Sequence, residues 1–368
     1  MIQHNKYIKI DQYIESAEQK IGILGVAFCI ALIQYLMGLL YCSPLKFEPS
    51  AFGHFYKALS ESPFSFESEN PLRYRMFAPL LGYLVGLKGS LFVLIPVLFS
   101  LLLPTLLYHF YRKEKAYSPL EALIMSSIIA FSSVRFVHLF ALWYVDPVYL
   151  FAVFLMFMNL HRPLLFTVSF AVALFSHESI LFVLPPLLYQ AHKEADVANQ
   201  KQFPWKWVGI MVVFALYMLF RHWISLHAKV AFDTNFYFNR NTFKDSLQNT
   251  LPHLPLALFY SFKLLWMGVL WVWSTSEKGV EKRLIALFLL CVLAQFLIAY
   301  DTSRLINLIF PLILWCFERA REKLGTEKWV KWALILIGVN FLLGEYYICR
   351  TDVIAMPPYF LTYLLQLI

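Results

Sequence analysis

The sequence predicts an all-α protein, a polytopic transmembrane helix bundle of about 11 spans with a cytoplasmic N-terminus and a long first outer loop. Three observations support this prediction. Of the 368 residues, 60% are hydrophobic and 15% are charged, whereas soluble proteins carry about 25% charge. Apolar runs recur along the whole chain. The 35 Phe, 21 Tyr and 10 Trp are typical of the aromatic belts of a bilayer protein. This composition excludes a secreted enzyme, a soluble dinucleotide enzyme, a disordered chain and a disulfide scaffold.

The predicted spans are apolar segments, several of them shorter than the roughly 20 residues of a full crossing. They cover residues 21–41, 91–111, 120–142, 148–160, 163–175, 180–190, 208–226, 256–273, 284–300, 305–317 and 332–348. A further apolar segment, 77–87, is too short to cross, and we expect it to be interfacial or re-entrant. We expect residues 1–368 to form a single integral membrane domain, because no soluble domain or internal repeat is evident.

The distribution of Lys and Arg predicts the orientation. With the N-terminus in the cytoplasm, eighteen of these residues fall in inner segments and nine in outer segments. This bias agrees with the rule that positive charge accumulates on the cytoplasmic side. The same rule accounts for the net charge of +8, so we expect membrane lipids and no nucleic acid among the partners. The predicted location is the inner (cytoplasmic) membrane of the cell, within the cell envelope.

Two long connections, residues 42–76 and 228–255, fall on the predicted outer side. Long ordered loops tend to be functional. The inner connections are shorter and charged, without notable motifs. We therefore expect the protein to act at its outer face.

Ionisable residues interrupt the apolar sequence in four places, and the predicted topology puts all four at the outer face. Such residues are costly near a bilayer unless they are paired or face a wet cavity, so they are candidate site residues. They are Glu48, Arg73 and Arg75 in the first outer loop, Asp146 before Pro147, His177 with Glu178, and Asp301 with Arg304.

Several of these residues also have a purely structural interpretation. Asp146 followed by a proline is a typical helix start. Glu178 could be an interfacial carboxylate without a role. Asp301 and Arg304 are spaced i, i+3 and could neutralise each other at a helix start.

The remaining basic and histidine residues leave similar alternatives open. Arg73 and Arg75 could anchor the chain at the interface. Arg135 and His138, near the outer end of the third span, could satisfy neighbours or bind a ligand. His177-Glu178 begins like the zinc-protease pattern His-Glu-x-x-His, but position 181 is Leu and no second histidine follows on that helix, so the pattern does not favour a zinc protease.

Together these residue types point to a particular chemistry. Arginine suits bidentate recognition of phosphate. Carboxylates suit general-base activation of an acceptor hydroxyl or amide. A phosphate-bearing lipid at the membrane boundary would use both.

The order of these features resembles the GT-C superfamily of membrane glycosyltransferases, which use polyprenyl-phosphate sugar donors. In that family a first span precedes a long outer loop with a catalytic acid. An arginine-containing stretch with a proline closes the loop, as residues 74–81, Tyr-Arg-Met-Phe-Ala-Pro-Leu-Leu, do here. Later polar breaks also match, at residues 146–147, 177–179 with Pro185, and 301–304 with Pro311. The resemblance spans about residues 20–320.

The resemblance implies transfer of a sugar from a polyprenyl-phosphate donor to a glycan, lipid or protein acceptor. It implies a general base in the first outer loop. The family usually has an aspartate just before a Gly-x-x-Tyr stretch, whereas here the nearest acid before Gly53 is Glu48. Glu48 is the predicted base, and Glu61, Glu67 and Glu69 are the alternatives.

The resemblance also implies binding roles for the other site residues. Arg304, with Arg75 or Arg73, would hold the donor phosphate. Asp146, Glu178 and Asp301 would orient the acceptor, the arginines or a divalent metal ion, and no other cofactor is implied. The family commonly has Arg or Lys before the glutamate, where this chain has His177. We assign His177 to substrate binding with Glu178.

Two other functions are compatible with the sequence. A transporter or flippase for a lipid-linked or anionic solute would need charges near mid-membrane, and Arg221 and Lys263 are the residues that favour it. A polymerase-like or acyl-transferring membrane enzyme is the third alternative.

Overall fold

The computed structural model describes residues 2–40, 49, 52–65, 71–197, 203–227, 240–277, 279–297, 299, 301–349 and 351–356. These residues are almost entirely helical, which confirms the all-α prediction. The calls on Glu48, Glu67 and Glu69 concern residues outside the described part of the chain.

The first half of the chain forms nine α-helices within the described ranges. They are α1 (Ile2–Leu39), α2 (Gly53–Glu61), α3 (Phe77–Leu84), α4 (Leu94–Lys113), α5 (Pro119–Ala130), α6 (Ser133–Phe140), α7 (Asp146–Met158), α8 (Pro163–Ser176) and α9 (Ile180–Val197). Short 3-10 helices, Pro71–Tyr74 and Gly89–Val93, precede α3 and α4.

The second half adds further helices and a small antiparallel hairpin. They are α10 (Phe203–His227), α11 (Arg240–Asp245), α12 (Leu254–Phe262), α13 (Trp266–Thr275), α14 (Gly279–Ala294), α15 (Thr302–Ile306), α16 (Phe310–Leu324), α17 (Thr326–Leu342), β1 (Glu345–Cys349) and β2 (Asp352–Met356). A π-helix, Ser246–Thr250, and 3-10 turns, Leu251–His253, Lys263–Leu265, Gln295–Leu297 and Asn307–Ile309, connect some of them.

Several helices have the length and composition of membrane spans, as expected for a multi-pass membrane protein. Within the described residues, four continuous segments qualify, and the bent pair Pro119–Ala130 and Ser133–Phe140 makes a fifth if it counts as one span. The four are Lys9–Leu39, Gly89–Lys113, Trp205–His227 and Phe243–Thr275. The number of about 11 spans and the orientation of the chain stay predictions.

Two expectations about the non-spanning segments need correction. The segment 228–255 is not simply a loop, because its described part is helical from Arg240 onward. The predicted last span, 332–348, ends early, because α17 stops at Leu342 and residues 345–349 form β1. Tyr346, Tyr347 and Ile348 are apolar enough to extend a predicted span, yet aromatic and β-branched residues also favour strands.

The helix starts follow local sequence signals. Pro119, Pro147, Pro163 and Pro311 each lie in the first turn of a helix, where a missing N–H leaves no hydrogen bond unmade. The start of α5 also carries a capping box. Glu121 N donates to Ser118 Oγ at 3.4 Å, and Ser118 N donates to Glu121 Oε2 at 2.8 Å.

Helices α7 and α16 form the centre of the apolar core, and most of their residues are buried. The outer helices expose leucine and isoleucine side chains instead. Ile33 and Leu36 on α1 and Leu219 on α10 are more than half exposed. A bilayer would cover such apolar surface.

One end of the bundle is held together by ion pairs. Arg112 contacts Glu18 through Nη2 at 2.6 Å and Nε at 2.9 Å. Arg321 contacts Glu121 in the same bidentate way, at 2.6 and 3.0 Å. These pairs join α1 to α4 and α5 to α16. Because α1 rises about 1.5 Å per residue, its other end lies far from these ion pairs. That end packs against α6, where Gly38 approaches Leu139 and Arg135.

Candidate functional site

Five of the predicted site residues come together at the opposite end of the bundle. Arg75 follows the turn Pro71–Tyr74, Asp146 begins α7, Glu178 lies between α8 and α9, and Asp301 and Arg304 lie at the start of α15. These five side chains, Arg75, Asp146, Glu178, Asp301 and Arg304, are called the polar cluster below. Each lies where a helix begins or is interrupted, so four separate breaks meet at one place.

The first half of the polar cluster is a bidentate ion pair between Arg75 and Glu178. Nη2 donates to Oε1 at 2.9 Å and Nε donates to Oε2 at 3.1 Å. Arg75 Nη1 also donates to the hydroxyl of Tyr56, on α2, at 3.3 Å. The Glu178 side chain is 27% exposed and that of Arg75 is 9% exposed. The fork geometry fixes both side chains.

The second half is centred on Arg304, which contacts two carboxylates. Its Nε donates to Asp146 Oδ2 and its Nη1 donates to Asp301 Oδ2, both at 2.9 Å. The hydroxyl of Tyr347, on β1, donates to the same Asp301 oxygen at 2.9 Å. The guanidinium also lies 4.3 Å from the ring centroid of Tyr144, which is cation–π geometry.

Aromatic side chains join the two halves. The Tyr149 ring lies 4.9 Å from the His177 ring, and the Tyr149 hydroxyl donates to the Arg304 carbonyl at 3.4 Å. Burial raises the pKa of the Tyr56 phenol, and the charges of Arg75 and Arg304 oppose that shift. Tyr56 therefore lies close enough to both arginines for their charges to act on its hydroxyl group.

The acids of the cluster differ in how readily they take up a proton. Burial raises the pKa of Glu178, but the charge and the hydrogen bonds of Arg75 lower it more, so the pKa lies well below its usual value. Burial raises the pKa of Asp301 above its usual value, because the neighbouring Arg304 offsets that effect only in part. Glu178 is therefore a firmly ionised carboxylate, and Asp301 is the easier of the two to protonate.

His177 is neutral in this environment. Burial, and then the charge of Arg75, lower the pKa of its imidazole to about 3. Its Nδ1 accepts a hydrogen bond from Ser179 N at 3.2 Å, so the proton is placed on Nε2. His177 can donate a hydrogen bond but does not supply a fixed positive charge.

Three polar atoms of the cluster lack a hydrogen-bond partner. Asp146 Oδ1, Asp301 Oδ1 and Arg304 Nη2 are buried and have no hydrogen-bond partner among the described residues. Buried polar groups without a partner are rare in folded proteins. One donor and two acceptors side by side match the hydroxyl groups of a polyol.

Asp146 and Asp301 were also candidates for purely structural roles, as a helix cap and as the partner of Arg304 in an i, i+3 pair. Asp146 does not cap its helix, because the cap residue of α7 is Val145 and the Asp146 carboxylate binds Arg304. Asp301 and Arg304 do form the i, i+3 pair that their spacing allows. That pair is not closed on itself, since Arg304 also contacts Asp146.

Three other residues predicted for the site, Arg73, Glu61 and Glu48, are not among the five of the polar cluster. Arg73 is buried in the turn just before Arg75. Glu61 ends α2, is exposed, and packs against the backbone at Gly89. Within the described residues it makes no hydrogen bond or ion pair with the cluster. The predicted base Glu48 lies outside the described residues.

Sequence reasoning missed the tyrosines that surround the cluster. Tyr56 and Tyr144 could have been found from the sequence, because Tyr56 ends the Gly-x-x-Tyr stretch and Tyr144 lies two residues before Asp146. Tyr347 could not have been found in this way, because residues 332–348 were predicted to form a continuous span. A strand places Glu345 and Tyr347 on the same face of the hairpin, which the helical prediction did not allow.

The two residues that favoured a transporter both have partners. Lys263 forms a buried ion pair with Glu345 of β1, with Nζ and Oε1 2.6 Å apart. It also donates to the carbonyls of Asn340 and Leu343, at 3.1 and 2.9 Å. The Arg221 guanidinium lies 4.1 Å from the ring centroid of Tyr74.

The carboxylates of the cluster contact arginines and do not form a set of metal ligands among the described residues. Within the described ranges, no group of three or more His, Cys, Asp or Glu side chains is arranged to hold a metal ion. Asp146 and Asp301 each direct one oxygen to Arg304 instead. A divalent metal ion at the cluster stays a prediction.

Comparison of the chain with known protein families, with curated proteins and with solved structures finds no match.

Proposed function

We propose that this protein is a GT-C-like glycosyltransferase at the outer face of the inner (cytoplasmic) membrane. It would move a sugar from a polyprenyl-phosphate donor to a glycan, lipid or protein acceptor. The observation that carries the proposal is the polar cluster with its three unpartnered atoms. Four breaks in the apolar sequence converge on it, and buried polar atoms without a hydrogen-bond partner are uncommon in folded proteins.

The cluster has the chemistry of a sugar site. Three carboxylates meet two guanidiniums, so its charges nearly balance and favour a neutral polyol over an additional anion. Asp146 and Asp301 would accept hydrogen bonds from sugar hydroxyls. Tyr144 and Tyr347 supply aromatic surface beside them, and aromatic rings pack on the apolar faces of sugars.

Arg304 would act where charge develops. Its unpartnered Nη2 can donate to the oxygen that links sugar and phosphate. Breaking the glycosidic bond places negative charge on that oxygen, and a preorganised donor stabilises such charge best in the transition state. Arg75, or Arg73 beside it, would support this role while holding Glu178 in place.

Glu48 is the proposed general base that removes the proton from the acceptor. Its neighbour Pro49 lies close to Gly53, the first residue of α2. A Cβ atom at Gly53 would come within 2.6 Å of Trp143 Cβ. The start of α2 therefore packs tightly on the segment that leads into Asp146.

The test is a transfer assay on purified protein with a panel of polyprenyl-phosphate sugars and candidate acceptors. We expect wild-type protein to transfer one sugar, and Glu48→Gln and Arg304→Ala to lose at least about a hundredfold in rate. Glu327→Gln and Arg319→Ala are the matched controls, because both residues form exposed ion pairs outside the cluster. Full activity in Glu48→Gln and Arg304→Ala would refute the proposed roles.

A further inference from the structure

A second group of polar side chains lies on α6, outside the polar cluster. Arg135 and His138 are spaced i, i+3, so they share one face of the helix. Each is only 2% exposed. A charged residue this deeply buried normally has a partner of opposite charge.

Arg135 has no such partner. Its Nη2 donates to the backbone carbonyl of Ser100, on α4, at 3.0 Å, and its guanidinium lies 5.0 Å from the ring centroid of Tyr35, on α1. Among the described residues it forms no ion pair, and its Nη1 has no hydrogen-bond partner. This differs from the polar cluster, where each arginine meets at least one carboxylate.

The side chain of His138 also lacks hydrogen bonds. Neither ring nitrogen has a hydrogen-bond partner among the described residues. Its nearest aromatic neighbour is Tyr35, with ring centroids 6.3 Å apart. Three nitrogen atoms, Arg135 Nη1 and both from His138, are therefore buried without a hydrogen-bond partner among the described residues.

We propose that Arg135 and His138 form a binding site for a phosphate group. The ligand would supply the negative charge that Arg135 lacks, and it would accept hydrogen bonds from Arg135 Nη1 and from the one N–H of the His138 ring. A guanidinium matches the geometry of phosphate oxygens, and a histidine beside it can donate a further hydrogen bond.

The surroundings favour a phosphate carried by a lipid. The site is enclosed by Tyr35 of α1 and Ser100 of α4. On those helices Ile33, Leu36 and Leu98 are 58%, 52% and 43% exposed. Apolar surface of this kind faces lipid in a membrane protein, so the site lies one helix layer from the bilayer.

The site also lies next to the polar cluster. Asp146 follows α6 after a short turn, and its charge acts on His138. A lipid phosphate at Arg135 and His138 would direct an attached sugar toward Asp146 and Arg304. The assignment of this phosphate to the sugar donor rests on the proposed function, whereas binding of the phosphate does not.

The test measures binding without turnover. Purified full-length protein in nanodiscs of zwitterionic lipid is titrated with polyprenyl phosphate, with the neutral polyprenol of the same length and with inorganic phosphate. Native mass spectrometry counts the bound lipid. We expect polyprenyl phosphate to bind at least about tenfold more tightly than the polyprenol, and Arg135→Gln to lose that preference. Arg319→Gln, a surface arginine, is the control and should bind as wild type does.

Inorganic phosphate distinguishes the source of the ligand. Competition by inorganic phosphate at the concentration of the lipid would support the anion site but assign it to a free phosphate compound. Equal binding of polyprenyl phosphate and polyprenol, or unchanged binding in Arg135→Gln, would overturn the proposal.

A structural role for Arg135 makes a different prediction. If the residue only holds the fold, Arg135→Gln should lower the melting temperature of the ligand-free protein. If it is an unpaired binding residue, the ligand-free variant should melt no lower than wild type while binding is lost. Should this variant fail to purify, His138→Asn leaves Arg135 intact, and its unchanged affinity would contradict the proposal.

The outcome is separable from that of the proposed function. Phosphate-dependent binding without any sugar transfer would refute the transferase and leave this site standing. Sugar transfer together with unaltered lipid binding in Arg135→Gln and His138→Asn would support the transferase and refute this phosphate site.

Discussion

Arg75 and Glu178 are 103 positions apart in the sequence and form a bidentate ion pair, with N–O distances of 2.9 and 3.1 Å. The pair joins the turn before α3 to the break between α8 and α9. Because Arg75 also donates to Tyr56, it links helix α2 to the same point. One arginine therefore holds together three segments around the polar cluster.

A double-mutant cycle tests this pair. We expect Arg75→Gln and Glu178→Gln each to lower the free energy of unfolding by about 2 kcal/mol, because each leaves a charged, largely buried partner unmatched. The double variant should lose less than the sum of the two. Thermal denaturation in one detergent measures all four proteins, and strictly additive losses would show that the pair is not coupled.

The buried pair Lys263 and Glu345 gives a second cycle. Both side chains are nearly inaccessible, at 0% and 1% exposure, so removing either partner strands a buried charge. We expect Lys263→Met or Glu345→Met alone to cost about 3–5 kcal/mol. The double Met variant should be close to wild type, because it removes both desolvated charges. A double variant as unstable as its worse single parent would contradict this account.

The same pair predicts a dependence on pH. Burial raises the pKa of Glu345 from 4.5 to about 7, and the attraction of Lys263 offsets that shift only in part. The folded protein then binds a proton at Glu345 more readily than the unfolded chain does, so stability from this group falls as pH rises from about 4.5 to 7. Melting temperatures measured across that window should fall more steeply for wild type than for Glu345→Gln. Equal slopes would show that Glu345 has an ordinary pKa.

The sequence predicted the members of the site better than their arrangement. Arg75, Asp146, Glu178 and Arg304 could be grouped because each interrupts an apolar run near the same predicted face. Their pairing depends on contacts over more than a hundred residues, which no local pattern encodes. The hairpin was missed for a related reason, since Tyr347 is apolar enough to continue the preceding span. The missing counter-charge of Arg135 is also invisible in sequence, because it concerns what surrounds the side chain.

The hydrogen bond from Tyr347 to Asp301 predicts a shift in the pH profile of transfer. This bond lowers the pKa of Asp301, although burial keeps that pKa above its usual value. Removing the hydroxyl in Tyr347→Phe should raise the pKa of Asp301 further. The acid limb of kcat/KM against pH should then move to higher pH, with a loss of about 1 kcal/mol in stability. Tyr346→Phe, on the opposite face of β1, is the control. Superimposable profiles for Tyr347→Phe and wild type would argue against a role for Asp301 in turnover.

The most direct test of the central claim is the release of polyprenyl phosphate from a polyprenyl-phosphate sugar, measured for wild type, Asp146→Asn and Asp352→Asn. Asp146 lies in the polar cluster, whereas Asp352 is exposed on the hairpin. If the cluster is the sugar-transfer site, wild type and Asp352→Asn release the lipid phosphate at equal rates. Asp146→Asn should be slower by at least about a hundredfold while keeping its fold, because a residue that positions the reacting sugar controls the rate. Equal release by Asp146→Asn and wild type, or no release by wild type with any donor tested, would contradict the account.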